Sequence, residues 1–371
     1  MTASEPIKIL YTISSLANEG PTRVLLNMVR NLDRNSFAPA VATFTAEKEN
    51  SLLSEFQTLG VPVYPLAASA QGAFGRFKAL RDLLRTGAFR IAHSHCPRSL
   101  FFLAAARVRG VKTAYTVHVY PDVQYRVIHG PVKGPVITAG SNVALRFIDK
   151  PIACADSVAA EYLEKRGYSF PAVNNGIEPM SLDGYGSRNE ALAQLGLDPR
   201  RRYLLSVGRL SGEKRIGELA ETFARVNPAD VDLVVVGAGP EEERIAKVAS
   251  PRIHLMGFHK DIRPFLAACD FYVSPSSTEG LANTLLETMS VGMPSLLSDI
   301  PSHRFVIQKC QGFVGCMFDP LSDASLLAGL QSLMQQDTDE VRASIRRNFQ
   351  TLFHAQVMTR GYEAIYREMV A

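Results

Sequence analysis

An α/β fold in two parallel-sheet halves is what this sequence predicts, on three observations. Apolar runs of strand length alternate with helix-length segments, the pattern of a parallel sheet covered by helices on both faces. The alternation stops over residues 168–202, where Gly, Pro, Asn and Arg cluster around one short helical run, and then begins again. The chain has 371 residues, a length that suits two domains better than one.

In the first half the strands read as IKILYTI (7–13), APAVATF (38–44), VPVYPL (61–66), RIAHSH (90–95), KTAYTVH (112–118) and PIACA (151–155). Helical stretches lie between them at 21–32, 51–60 and 99–110, and again after Ala155. The second half gives RYLLSVG (202–208), VDLVVVGAG (231–239), RIHLMGF (252–258), FYVSPS (271–276) and PSLLSD (294–299), with helices over 216–226 and after Ser277. These elements predict two Rossmann-like domains, residues 1–170 and 171–354. A last helix over 355–371, with Tyr362, Ile365, Tyr366 and Met369 on one face, is expected to pack back on the first domain.

Hydrophobic residues make up 46% and charged residues 20%, as in ordinary globular proteins. No apolar run approaches the roughly 20 residues that span a bilayer. The start of the chain, with Glu5 and Pro6, does not read as a secretory leader. Five cysteines, odd in number and without a CxxC pair, fit reduced thiols, so a cytoplasmic protein is expected. Charge is uneven: residues 1–170 hold 20 Lys and Arg against 12 Asp and Glu, and residues 171–371 hold 20 against 24. Between Ser69 and Lys112 nine basic residues meet one acid, Asp82. One reading is a solvated face. The other is an anionic membrane surface met by Arg76, Lys78 and Arg81, with Phe74, Phe77 and Leu80 interleaved among them. A nucleic-acid partner is not expected.

The stretch SSTEGLANTLLETMSVGMP, Ser276 to Pro294, holds two glutamates eight residues apart, Glu279 and Glu287. Ligands of open parallel sheets bind beyond the carboxyl ends of the strands, and this loop follows the strand FYVSPS. The helix that begins near Ala282 would turn its free N–H groups, through Leu281, Ala282 and Asn283, toward an anion, and Gly280 would let a phosphate come close. Glu279, repelled by phosphate, is then expected to face hydroxyl groups, and Glu287, two turns on, a ribose. A sugar, a diphosphate and a ribose in sequence make a nucleotide sugar. Two surface glutamates beside a capped helix are the competing reading.

The run EGLANTLLE, with Gly292 and Pro294 after it, resembles the family 4 glycosyltransferases, and the resemblance covers nearly the whole chain. It implies the GT-B fold, two Rossmann-like domains facing across a cleft, and retaining transfer from a nucleotide-sugar donor to a glycan or lipid-linked acceptor. A UDP-sugar is the first expectation and GDP-mannose the second. VGRLSGEKR (207–215) is similar to the family's diphosphate-holding segment, which makes Arg209 and Lys214 catalytic candidates beside Glu279. VVVGAGPEE resembles its glycine turn, with Gly239 a donor contact. LMGF stands where the family holds the base, at Phe258. His118, ending YTVH, matches a histidine near the donor sugar. The loop around Gly20 departs from the family's paired glycines: Glu19 stands for the first, and Pro21 follows. Asp299 and His303 remain unassigned candidates.

No cofactor and no metal are expected. Asp230 and Asp232 form a D-x-D, but they precede the strand LVVVG and so lie at the amino end of the sheet. Glu242 stands at the third glycine position of a dinucleotide fingerprint, which argues against a Rossmann oxidoreductase. Two readings compete with sugar transfer: a nucleotide-sugar 2-epimerase of the same fold, and a non-catalytic nucleotide-sugar-binding protein.

Overall fold

The computed structural model describes residues 5–69, 71–248 and 250–371. The chain divides into two compact units. One runs to Ile177 and includes Ala355–Ala371; the other is Glu178–His354. The division falls after Ile177 rather than after residue 170 because the chain beyond 170 still belongs to the first sheet. Ala153 donates to the Pro171 carbonyl and accepts from Val173, both at 2.9 Å, and Val173 is buried in the first core.

The first unit holds β1 (Ile7–Ile13), β2 (Phe37–Thr43), β3 (Val63–Pro65), β4 (Ile91–Ser94), β5 (Lys112–Val117) and β6 (Lys150–Ala153). They form one parallel sheet in the order β3-β2-β1-β4-β5-β6. The second unit holds β7 (Arg202–Val207), β8 (Val231–Val236), β9 (Ile253–Gly257), β10 (Phe271–Ser274), β11 (Ser295–Ser298) and β12 (Gly315–Phe318). Their order is β12-β11-β10-β7-β8-β9, again all parallel. Each sheet reverses its order once, between β1 and β4 and between β10 and β7. Such a reversal opens a crevice at the carboxyl ends of the strands.

Continuous apolar runs become the central strands because helices cover both faces. In β8 every residue of VDLVVV is buried. The terminal helix, Ala355–Val370, puts Met358, Tyr362, Ile365 and Tyr366 into the core of the first unit with Tyr11, Phe37 and Ile9. Beyond β11 no element is predicted before the terminal helix, yet the structure has β12 and the helices Asp323–Gln336 and Asp339–Leu352 there. Strand β12, GCMF, is four residues long and starts with glycine. The helix Pro121–Leu145 contains Gly130, Pro131 and Pro135, which read as breakers; the helix accommodates them by kinking at Gly130, whose φ is 82°.

Candidate functional site

At the switch point of the second unit, two loops meet. The segment after β7 carries Arg209 and Lys214, and the segment after β10 carries Glu279. They are stitched together at Ser277, whose backbone N–H and hydroxyl both donate to the Glu213 carbonyl, at 2.8 and 3.1 Å. Beside this stitch the Lys214 ammonium pairs with the Glu279 carboxylate. The Ser276 hydroxyl donates to the same carboxylate oxygen at 2.8 Å. The two side chains are 28% and 11% exposed. Burial alone would raise the Glu279 carboxyl, but the Lys214 charge and these hydrogen bonds outweigh it and hold it below the usual carboxylate range. Arg215, next to Lys214, takes a left-handed φ of 53°. That conformation is costly for a non-glycine residue and occurs more often at functional loops than elsewhere.

Behind Glu279 lies a buried polar layer that the sequence named only in part. His303, in the first turn of the helix Pro301–Lys309, places Nδ1 2.9 Å from the Ser298 carbonyl oxygen. The proton therefore sits on Nδ1. Burial pushes this imidazole down, against the opposing pull of the Ser298 carbonyl and of Glu279. Ser298 in turn donates its hydroxyl to the Ser276 carbonyl at 2.5 Å. The loop that presents Glu279 is thus tied to β11 as well as to β7.

Arg209 is exposed, and its guanidinium has no hydrogen bond or ion pair among the described residues. Its backbone, by contrast, is fixed. Leu210 donates to Ala238 at 3.0 Å, and Glu241 donates to Leu210 at 3.0 Å. A side chain on Gly239, at φ 158°, would collide with the Leu210 backbone. Gly239 therefore presses on the segment that carries Arg209. Phe258 follows the end of β9 with its ring exposed.

The helix Asn283–Ser290 starts at Ala282, which supplies no side-chain cap, and its first turn carries no acid. Gly280 and Leu281 are buried, and Ala282 and Asn283 half-buried. Glu287 is buried inside this helix. The hydroxyl of buried Tyr272 is pushed up by burial first and then by Glu279 and Glu287. Both glutamates of the E-x7-E element thus act on one side chain, Tyr272, which sequence reasoning had not singled out.

In the first unit His118 follows β5. Burial pushes its imidazole down to about 4, so it is neutral at pH 7, and its Nε2 is shielded and unpartnered among the described residues. Its ring lies 5.6 Å from that of His95, which lies 4.4 Å from that of His93. His93 is anchored by Tyr366 on one nitrogen, at 2.7 Å, and by Thr116 on the other, at 2.9 Å. The terminal helix therefore reaches this row of histidines through Tyr366. Gly20 opens the helix Gly20–Asn31, with Pro21 in its first turn; Glu19 at the N-cap pairs with Lys48 at 2.9 Å.

The other acidic candidates are occupied elsewhere. Asp232 accepts from Arg201 Nε at 2.9 Å and lies 3.0 Å from His254 Nε2, near the amino end of β8. Asp299 pairs with Arg304 at 2.7 Å on the surface.

Comparison with known proteins matches both units. The family Glycosyltransferase Family 4 matches residues 19–179, and Glycosyl transferases group 1 matches residues 201–336. The chain is 29% identical over 175 residues to the lipopolysaccharide core biosynthesis mannosyltransferase LpsB of Rhizobium meliloti, covering 44% of this chain and 49% of LpsB. The chain thus spans about half the length of that relative. It is 21% identical over 379 residues to the O-antigen biosynthesis glycosyltransferase WclY of Escherichia coli, covering 98% of this chain and 99% of WclY. The crystal structure of Anabaena HepE in complex with UDP and glucose superposes with a TM-score of 0.77 at 18% identity, over 97% of this chain and 99% of HepE. With one glycosyltransferase family matching each unit and two six-stranded parallel sheets that match the fold of GT-B glycosyltransferases, the chain belongs to the group 1, family 4 glycosyltransferases.

Proposed function

We propose that the protein is a retaining glycosyltransferase. It moves a sugar from a nucleoside-diphosphate sugar, a UDP-sugar first and GDP-mannose second, to a hydroxyl of a glycan, glycolipid or lipid-linked acceptor. The observation that carries this reading is the group at the switch point of the second unit: Arg209, unpaired among the described residues, and Lys214 held against Glu279. Binding of a diphosphate offers Lys214 a stronger anion, and the freed Glu279 then accepts from sugar hydroxyls. Support for the donor class comes from HepE, solved with UDP and glucose, and from LpsB, named a mannosyltransferase. LpsB and WclY, named for lipopolysaccharide core and O-antigen synthesis, support a glycan or lipid-linked acceptor.

In this reading Arg209, Lys214 and the N-terminus of the Asn283–Ser290 helix stabilise charge on the departing diphosphate as the anomeric carbon becomes cationic. The leaving phosphate oxygen takes the acceptor proton on the same face, so no carboxylate serves as nucleophile and the anomeric configuration is kept. Neutral His118 contacts the donor sugar, Glu287 the ribose, and Phe258 the base. The diphosphate is neutralised by side chains, so activity is expected to survive a strong chelator.

The test is incubation with a panel of nucleotide sugars, with and without a lipid-extract acceptor. Anomeric configuration is read by NMR. Acceptor-dependent product with retained configuration supports the proposal. Donor conversion without any acceptor would identify an epimerase, and binding without turnover a sensor. Thermal shift across UDP, GDP, ADP and dTDP identifies the base; a ligand at 100 times its Kd adds roughly 2.7 kcal/mol.

A further inference from the structure

The kinked helix Pro121–Leu145 is amphipathic in the wrong sense for a soluble surface. Its inner side buries Thr138, Ser141, Asn142, Ala144 and Leu145. Its outer side presents Val132, Val136, Val143 and, just past its end, Phe147, which are 76%, 69%, 54% and 49% exposed. Counted from Val132, the other three fall within about 60° of arc at 3.6 residues per turn, so they make one row roughly 22 Å long. Phe101, on the helix Pro97–Ala105, borders the row where Gly140 approaches its ring. Exposed apolar side chains scattered singly need no explanation, but a contiguous row does.

Charge says what covers it. Lys133 and Arg146 flank the row, exposed and without an ion pair among the described residues. The acids of the same segment are engaged elsewhere: Asp122 pairs with Arg166 at 2.7 Å, and Asp149 accepts from the Thr113 N–H at 2.8 Å. A second copy of this chain fits poorly. In a two-fold pairing of the row, Lys133 would face Lys133 or Arg146 of the other copy, cation against cation. An anionic bilayer satisfies both features, since its headgroups meet the cations while the valine row seats at the acyl boundary.

The geometry points to the Val132–Phe147 row, with Lys133 and Arg146, as the surface by which the first unit docks on an anionic membrane. The basic stretch considered from the sequence serves this less well. In its helix Gly72–Thr86, Leu80 is buried and Phe77 half-buried, which leaves Phe74 alone outside. The inference deepens the lipid-linked-acceptor reading and rests on it only for its purpose, because docking is measured without transfer.

The experiment is co-sedimentation with phosphatidylglycerol-containing vesicles and with pure phosphatidylcholine vesicles. The wild type should pellet with the first, be released by high salt, and stay soluble with the second. Val132→Glu combined with Val136→Glu should lower the bound fraction about tenfold or more, and Lys133→Gln with Arg146→Gln should weaken it at low salt. Both variants should keep the wild-type melting temperature and UDP shift, since the altered side chains are exposed. Equal pelleting of the valine variant overturns the proposal. So does loss of pelleting only when Arg76, Lys78, Arg81 and Arg85 are changed to Gln. A wild type that forms a dimer, broken by the valine variant, and never pellets assigns the row to a second copy and also overturns it. A chain that pellets but transfers no sugar refutes the proposed activity and leaves this surface standing.

Discussion

Lys214 and Arg209 both follow β7, yet they should respond differently to loss. Arg209→Ala removes an exposed cation, so turnover should fall about a hundredfold or more, roughly 3 kcal/mol of transition-state stabilisation, with the melting temperature unchanged. Lys214→Met should cost turnover and stability together, because it strands the Glu279 carboxylate; denaturant titration should show a loss of roughly 1.5–3 kcal/mol. The sign with pH follows from the lowered Glu279 carboxyl. Its stabilisation is complete above the ordinary carboxylate range and is lost as pH falls through the lowered value, so the gap between wild type and Lys214→Met should close in acid. His118 acts in a higher window. Its imidazole is depressed from 6.5 to about 4 by burial, so the unfolded chain binds the proton first and stability falls as pH drops from 6.5 to 4. His118→Gln should flatten that stretch by at most about 3 kcal/mol, a pKa unit being worth about 1.4 kcal/mol. Urea titrations at several pH values across the range decide it; parallel curves would show that folding leaves the His118 titration unshifted.

The segment that bears Arg209 is positioned by backbone packing. The glycine turn after β8 lies against the Leu210 backbone, and a Cβ at Gly239 has no room. Gly239→Ala should therefore displace the segment bearing Arg209. The expected result is a loss of about 1–3 kcal/mol of stability and weaker UDP binding by calorimetry, although residue 239 need never touch the nucleotide. If UDP affinity falls while stability is unchanged, Gly239 is a direct contact, as the family resemblance implies, and the packing role is wrong. The E-x7-E element was legible because its two glutamates carry a fixed spacing on one loop and helix. Its coupling to Tyr272 was not, because that depends on β10 lying under the helix.

At the scale of the molecule, residues 355–371 complete the first unit from the far end of the sequence. Met358, Tyr362 and Tyr366 are buried there, and the Tyr366 hydroxyl holds His93 at 2.7 Å. A chain ending at His354 should lose the cooperative melting of the first unit while residues 178–354 still give a UDP shift. Loss of both transitions together would show that the units fold as one. Tyr366→Phe, a milder change, should cost about 1 kcal/mol.

Period and punctuation in the sequence determined the two parallel sheets, eleven of their strands, and the loops on which Arg209, Lys214, Glu279 and His118 sit. A buried parallel strand is a short local run of apolar residues, and a strand-end loop is written beside it. The tertiary structure decided the rest. It extended the first unit to Ile177, because an extended segment pairs with β6 at a distance no local pattern records. It joined Lys214 to Glu279 across 65 residues and set His303 and Ser298 behind them, because the order β10-β7 makes neighbours of strands far apart in sequence. It also turned a helix full of Gly and Pro so that its valines face outward. Which side of a helix is buried depends on what packs against it, and the chain states that only once it has folded.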